Sequence, residues 1–180
     1  MRSPGRDRTL GRLPRPGLLL VDRYADPMTT RYSAELLVPA EPAAVWAVLT
    51  DPARHPSIDA SESVVGPVTA GRIATVGQVF TMRMQYDDGS TVTRYQTDNH
   101  LVTCEPHQAI AWATAVVGEP PLGWTWRYDL TPTIDGTLVR LTYDWTDAPQ
   151  ANVEAYAVPN TDAAGLLASL ERLRTVVAEP

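Results

Sequence analysis

The residues of this chain that are suited to proton transfer fall into two pairs. His55 and Asp59 stand close together at the end of a predicted pair of short helices, and Asp98 and His100 lie in a segment of alternating polarity. A histidine and a carboxylate can exchange protons near neutral pH, which is the basis of general acid–base catalysis. For His55 and Asp59 the alternative is structural, since both residue types also cap and fix turns.

Other common catalytic and metal-binding patterns are missing from the sequence. It has no Gly-x-Ser-x-Gly motif, no phosphate-binding glycine loop and no Gly-x-Gly-x-x-Gly motif. The three histidines and the single cysteine, Cys104, lack the spacing of metal ligands. We therefore expect no metal and no cofactor. A single cysteine also excludes an internal disulfide and fits a reducing compartment.

A second group of residues has the character of a binding surface. In Leu122–Leu130 every even position is large and apolar, and every odd position is small or polar. Such alternation is typical of a β-strand with one buried face. Neighbouring segments alternate in the same way, and together they give the predicted ligand-binding residues: Met82, Met84, Tyr86, Tyr95, Trp112, Trp124, Trp126, Tyr128, Tyr143 and Trp145.

The elements that must position these residues follow from the same periodicities. A strand over 30–38 precedes a helix that starts near Pro42 and is stopped by Pro52, and a second short helix ends near His55-Pro56. Period-two segments then predict about six consecutive antiparallel strands, the last of which ends near Trp145.

The final stretch returns to helical spacing and predicts a long C-terminal helix. Its N-cap is Asn160 or Thr161, and its apolar stripe consists of Leu166, Leu167, Leu170, Leu173 and Val177. A helix is about 10–12 Å wide, whereas six or seven strands span about 30 Å. The sheet must therefore curl around the helix, which leaves room for a cavity lined by aromatic side chains. The alternative is that these side chains fill a solid core.

The hairpin at Asp88-Gly89 leaves two registers open for the strand over 91–104. A two-residue loop, which we favour, pairs Tyr86 with Thr91 and turns five residues inward: Thr93, Tyr95, Thr97, Asn99 and Leu101. A three-residue loop reverses the faces and lines the cavity with polar and titratable residues: Arg94, Gln96, Asp98 and His100. A bulge within the strand would combine parts of both.

The charges argue against a polyanionic partner. Residues 1–28 carry six Arg and three Asp, whereas residues 29–180 carry nine Arg and eighteen acidic residues, a net charge of −9. An acidic body binds nucleic acid poorly. No segment reaches the ~20 apolar residues that cross a bilayer. We therefore expect a cytoplasmic protein with no nucleic-acid partner and no membrane span, either a monomer or a homodimer.

The chain divides into two parts by composition. Residues 1–28 are rich in Arg, Pro and Gly, and we expect a disordered extension there, with Met28 as a candidate start of the native protein. Residues 29–180 show no internal linker or repeat and predict a single ligand-binding domain.

Three segments are typical of one protein superfamily: VPAEPAAVWAVLTDPARHPSID, CEPHQAIAW and the terminal LLASLERL. They resemble the START-like, or Bet v 1-like, superfamily and, within it, SRPBCC proteins of the polyketide cyclase/dehydratase group. The resemblance covers about residues 30–178. It implies an α+β helix-grip fold, in which a curved seven-stranded antiparallel sheet wraps around a long C-terminal helix and two short helices follow the first strand.

The resemblance implies three kinds of function. The first is binding of a small hydrophobic or aromatic ligand, lipid- or polyketide-like, in a cavity between the sheet and the C-terminal helix. The second is a cyclase or dehydratase that uses the same cavity, with His55 and Asp59, or Asp98 and His100, as the acid–base pair. The third is a co-chaperone-type interaction module, which predicts an exposed apolar patch and a filled cavity.

Overall fold

A computed structural model of the protein describes residues 29–87 and 89–179. The strands are β1 (Arg31–Val38), β2 (Val64–Pro67), β3 (Val79–Asp87), β4 (Val92–Glu105), β5 (Ala109–Val116), β6 (Pro121–Thr133) and β7 (Gly136–Asp144). The helices are α1 (Pro42–Leu49), α2 (His55–Ile58), α3 (Gln150–Ala155) and α4 (Ala163–Ala178), and a 3₁₀ turn covers Pro52–Arg54. The expectations for residues 1–28, including Met28 as a start, lie outside the described residues.

All seven strands form one antiparallel sheet in the order β1-β7-β6-β5-β4-β3-β2. Each strand from β2 to β7 pairs with the next along the chain, and β1 joins the sheet beside β7. The sheet curls toward α4, which packs mainly along β1 and also against β7, α1 and α2. This confirms the predicted helix-grip fold. The face turned toward α4 is the concave face.

The short helices after β1 begin and end where the prolines require. Pro42 opens α1, at a position where its missing N–H costs no hydrogen bond. Asp51 then accepts a hydrogen bond from the Ala53 N–H (3.1 Å) and starts the 3₁₀ turn. Arg54 donates to the Val176 carbonyl (3.1 Å) in the last turn of α4. The short helices therefore hold the end of the long one.

The N-cap of α4 corrects the predicted one. Asp162 precedes the helix, and its Oδ1 accepts a hydrogen bond from the Gly165 N–H at 2.9 Å. The prediction of Asn160 or Thr161 was wrong by one or two residues. The physical reason is that the carboxylate sits three residues before the N–H that it caps, as in other capped helices.

The buried face of α4 largely follows the predicted stripe. Three of its leucines are buried: Leu166, Leu170 and Leu173. Leu167 is 38% exposed, and Val176 rather than Val177 completes the buried face. Among the described residues there is no helix whose length and apolar character would let it cross a membrane.

α3, a helix of six residues between β7 and α4, was not predicted from the sequence. The Asn152 side chain donates to the Leu122 carbonyl (2.9 Å) at the start of β6. Just after α3, the ring of Tyr156 meets Trp124 edge-on at 5.6 Å. Because of these contacts, α3 covers one end of the aromatic strand β6.

The β3–β4 hairpin corrects the predicted loop length and retains the favoured faces. Tyr86 pairs with Thr93 instead of Thr91, so the connection covers residues 88–91 rather than Asp88-Gly89 alone. A shift of two residues does not exchange the faces of a strand. The inward residues are therefore those of the favoured register. A β-bulge then follows Leu101, before Thr103 pairs with β5.

Candidate functional site

The concave face carries a continuous row of large side chains. Tyr32 lies opposite Tyr143, Tyr143 opposite Trp126, and Trp126 opposite Trp112. On β4, Leu101 lies opposite Trp112. Directly opposed residues share one face of a sheet, so these five side chains cross five strands on the side of α4. They are named the aromatic row below.

The rings at one end of the aromatic row are in contact with each other. Trp126 and Tyr143 stack with centroids 4.1 Å apart and planes 7° from parallel. Trp145 lies 5.2 Å from Tyr143 and 5.2 Å from Tyr32. Contacts of this kind fix ring orientation and add to the stabilisation from burial. This end of the row is therefore a rigid wall.

The predicted ligand-binding residues differ in accessibility. Four of the rings are almost fully buried: Trp124, Tyr128, Tyr143 and Trp145. Met82 is also buried, whereas Met84, Trp112 and Trp126 are half-buried. Tyr95 is 45% exposed and Tyr86 is 61% exposed. The concave face is thus closed around Tyr143, and its side chains become more exposed toward the β3–β4 hairpin.

His55 belongs to the wall of this face. Its Nε2 lies 2.9 Å from the Leu49 carbonyl, and because a carbonyl only accepts, Nε2 carries the proton. The imidazole stacks on Trp112 (5.3 Å, 19°) and meets Phe80 edge-on at 5.9 Å. Burial lowers the pKa of His55, and the hydrogen bond to Leu49 offsets this only in part. The ring is therefore a neutral packing partner of the tryptophan.

Asp59 forms a turn and no acid–base pair. Its carboxylate accepts hydrogen bonds from the Ser61 N–H (3.1 Å), the Ser61 hydroxyl (2.7 Å) and the Val64 N–H (2.9 Å). In the described residues no side-chain hydrogen bond links it to His55, which binds Leu49 instead. The structural alternative, in which these two residues fix local geometry, is the arrangement observed.

Asp98 and His100 lie on the outer face of the sheet, away from α4. The Asp98 carboxylate accepts from the Thr81 hydroxyl (2.6 Å) and from the Gly118 N–H (2.9 Å). The Nε2 atom of His100 is buried and lacks a hydrogen-bond partner in the part of the chain that the structure describes. Asp98 pairs with Thr81, which lies on the outer face between the inward-facing Phe80 and Met82. The three-residue register, which would turn Asp98 and His100 inward, is therefore not adopted.

Three uncharged polar residues on the concave face are absent from the predicted set. Asn99 pairs with Thr114 on β5, and Thr97 lies two residues before Asn99 on the same face. These three residues are named the polar cluster. The favoured register had turned Thr97 and Asn99 inward, but we had not predicted them as ligand contacts. Thr114 shares the parity of Trp112 in the strand Ala109–Val116, a signal that could have identified it.

The tyrosine hydroxyl at the closed end is a buried donor. The oxygen of Tyr143 is buried and has no hydrogen-bond partner within residues 29–87 and 89–179. Burial raises the pKa of Tyr143 above its ordinary value. The phenol therefore stays protonated throughout the physiological range, and its ring contacts those of Trp126 and Trp145.

The described residues hold no group of three His, Cys, Asp or Glu side chains that could bind a metal ion. The lone thiol, Cys104, donates to the Ala74 carbonyl at 3.2 Å, and burial raises its pKa. A protonated thiol is a poor nucleophile and a poor metal ligand.

A family model described as polyketide cyclase/dehydrase and lipid transport matches residues 29–178. Among curated proteins, an uncharacterized protein of Mycobacterium tuberculosis is 26% identical over 155 residues, which cover 83% of this chain. The chain spans 64% of the length of that relative.

Similar solved structures come from several bacteria. Protein CV1439 of Chromobacterium violaceum superposes with a TM-score of 0.59 at 14% identity, covering 84% of this chain and all of that one. The Aha1 dimer of Colwellia psychrerythraea gives a TM-score of 0.55 at 14% identity, with coverages of 83% and 96%. At such identities the likeness is one of fold.

Proposed function

Because this chain belongs to the family of polyketide cyclases/dehydrases and lipid-transport proteins, we propose that it binds a small hydrophobic or aromatic ligand on the concave face of its sheet. The ligand is of the lipid- or polyketide-like kind. The observation that carries this proposal is the aromatic row, whose two central indoles, Trp112 and Trp126, remain partly exposed beside the buried rings of Tyr143 and Trp145.

The energetics favour a flat apolar guest at this position. An indole removes roughly 150–250 Å² from water when buried, and its face attracts other rings. Stacking on Tyr143 fixes the orientation of the Trp126 ring, and stacking on His55 fixes that of Trp112. A ligand that covers both indoles removes their remaining exposed area from water. Because the rings are already fixed, binding does not have to order them, and such preorganisation increases affinity.

Binding is favoured over catalysis because the acid–base candidates are occupied elsewhere. Asp59 is saturated by the turn that it forms, and Asp98 by Thr81 and Gly118 on the outer face. A cyclase or dehydratase that used this face would need an acid–base pair beside the ligand, and neither predicted pair supplies one. The interaction-module alternative, and with it a homodimer, rests on likeness of fold to Aha1.

The test is a titration with N-phenylnaphthylamine, an uncharged probe that fluoresces when it leaves water. We expect Trp126→Leu to weaken probe binding by about fivefold or more, since one indole face is worth roughly 1 kcal/mol. Trp46→Leu is the matched control, because Trp46 lies on α1 against His107 in the β4–β5 turn. Equal binding by both variants and the natural protein, or no binding at all, would refute the proposal.

A further inference from the structure

We propose that the ligand of this concave face is uncharged and carries a hydroxyl or carbonyl oxygen, which the polar cluster Thr97, Asn99 and Thr114 recognises. The inference rests on the proposed function and adds the chemical class of the ligand. An uncharged ligand means that no carboxylate or phosphate group, and so no fatty-acid or phospholipid head group, binds beside the polar cluster.

All nine described arginines lie on the outer face of the sheet, on helices or in loops. Five arginines lie on the outer faces of their strands, as the pairing shows: Arg31, Arg83, Arg94, Arg127 and Arg140. The other four lie on helices or loops. Arg54 donates to Val176, Arg72 to Ala47, and Arg172 to Asp59 and Glu62, while Arg174 is on the exposed side of α4.

No arginine of the described chain is therefore left to pair with an anion on the concave face. Burying a carboxylate or phosphate without a paired cation is unfavourable, because the charge loses its hydration and gains no partner. His55 does not replace an arginine, since it is a neutral donor bound to Leu49.

A negative charge, that of Asp59, also acts on the concave face. Burial raises the pKa of Tyr95 and of Tyr128, two tyrosines of the concave face, and the negative charge of Asp59 raises both further. An anionic ligand near these hydroxyls would meet the same repulsion. The field of the site thus disfavours anions in addition to lacking a partner for them.

The side-chain amide of Asn99 makes only long hydrogen bonds. Asn99 is only 5% exposed. Its Nδ2 donates to the Phe80 carbonyl and the Thr97 hydroxyl, and its Oδ1 accepts from the Thr114 hydroxyl, each at 3.5 Å. Good hydrogen bonds of this kind measure about 2.9–3.0 Å. A buried amide with three long contacts is weakly satisfied and can gain a shorter hydrogen bond from a ligand oxygen.

The cluster lies where a ligand on the indoles would meet it. Thr114 stands two residues after Trp112 on the same face of β5, and both threonines are partly accessible. Hydroxyl and amide groups that converge inside an apolar surface fix ligand orientation and give specificity. Neither group carries charge, so an oxygen of a neutral ligand is the matching partner.

Three naphthalene probes with the substituent at the same ring carbon test the inference by displacing N-phenylnaphthylamine. They are naphthalenemethanol, naphthoate and methylnaphthalene. At neutral pH we expect the alcohol to bind about tenfold more tightly than the carboxylate, because the carboxylate would place an unpaired negative charge on the concave face. We also expect Asn99→Leu and Thr114→Val to weaken the alcohol about fivefold and to leave methylnaphthalene within about twofold.

The control is Thr142→Val, the same exchange on the outer face of β7, which should change none of the three affinities. Thr114→Val keeps the test usable if Asn99→Leu does not fold. If methylnaphthalene binds but the carboxylate binds as well as the alcohol, or neither cluster variant alters alcohol binding, the inference is wrong and the proposed function stands. If none of the three probes binds, both are wrong.

Discussion

At the scale of single residues, the chemistry of His55 is decided by what surrounds it. A histidine in water would be half protonated at about pH 6.5, but this ring is buried, stacks on Trp112 and donates to a backbone carbonyl. Burial favours the neutral form, because a charged imidazole in this position loses its hydration, and the hydrogen bond to Leu49 offsets this only in part. The residue therefore stabilises the folded protein as an uncharged aromatic side chain.

This state makes stability depend on pH in a predictable direction. The pKa of His55 is lowered in the folded protein, so below about pH 6.5 the unfolded chain takes up a proton that the folded chain refuses. Its contribution is fully present above that pH and is lost as the pH falls. We expect the free energy of unfolding to decrease with acidification by up to ~1.4 kcal/mol per pH unit from this one group.

The measurement is urea unfolding at a series of pH values from about 7 to 5, the range in which an unfolded histidine titrates. His55→Gln should flatten the pH dependence in this range, whereas His107→Gln, at an exposed turn, should not. Parallel curves for the natural protein and His55→Gln would show that the imidazole is not held neutral.

Residue patterns predicted the aromatic side chains of the concave face better than its polar ones. Alternation of large and small residues placed Trp112, Trp126 and Tyr143 on one face, because sheet parity is fixed by the backbone alone. Whether His55 and Asp59 form a pair depends on competing local acceptors, here Leu49 and the turn at Ser61, which spacing does not reveal.

At the scale of elements, strand β4 shows what a turn signal can and cannot predict. Asp88-Gly89 correctly indicated a hairpin, and β3 ends at Asp87 as a two-residue loop requires, but β4 begins at Val92, two residues later than such a loop allows. The error was even, so the predicted faces survived it. The bulge after Leu101 has no local sequence signal of this kind, since it depends on how the sheet curls.

Strand β6 contains a glycine, Gly123, whose role also depends on distant parts of the chain. Its φ of +107° is disfavoured for residues with a side chain, and a Cβ there would overlap the backbone of Ala148 and lie 2.8 Å from the Asp147 carbonyl. The segment that follows β7 therefore crosses β6 directly above this glycine. The close approach brings α3 onto the strand that carries Trp124 and Trp126.

We expect Gly123→Ala to destabilise the protein by about 2 kcal/mol more than Gly118→Ala. Gly118 is the matched control, since it also has a positive φ (+80°) but has no atom within 4 Å of an added Cβ. Both free energies come from urea unfolding. Equal losses would mean that backbone strain alone, and no contact with Ala148, requires glycine at position 123.

At the scale of the whole molecule, the fold is closed by elements from opposite ends of the described chain. α4 packs along β1, and Arg172 on α4 donates to the Asp59 carbonyl (2.8 Å) and pairs with Glu62 (3.0 Å). The sequence order predicted that a terminal helix covers the sheet. It did not predict that β1 would be its main neighbour, because that depends on the curl of all seven strands.

A closure of this kind predicts that the helix and the sheet unfold together. Leu170 is fully buried between them, and we expect Leu170→Ala to cost about 3 kcal/mol of the free energy of unfolding, whereas the exposed Leu167→Ala costs less than about 1 kcal/mol. Far-ultraviolet circular dichroism follows all the helices and strands, and tryptophan fluorescence reports mainly on the sheet, which carries Trp112, Trp124 and Trp126. The two signals should share one midpoint in both variants, as in a single cooperative transition. If Leu170→Ala separates them, α4 is an independent unit, and the concave face does not need it to stay folded.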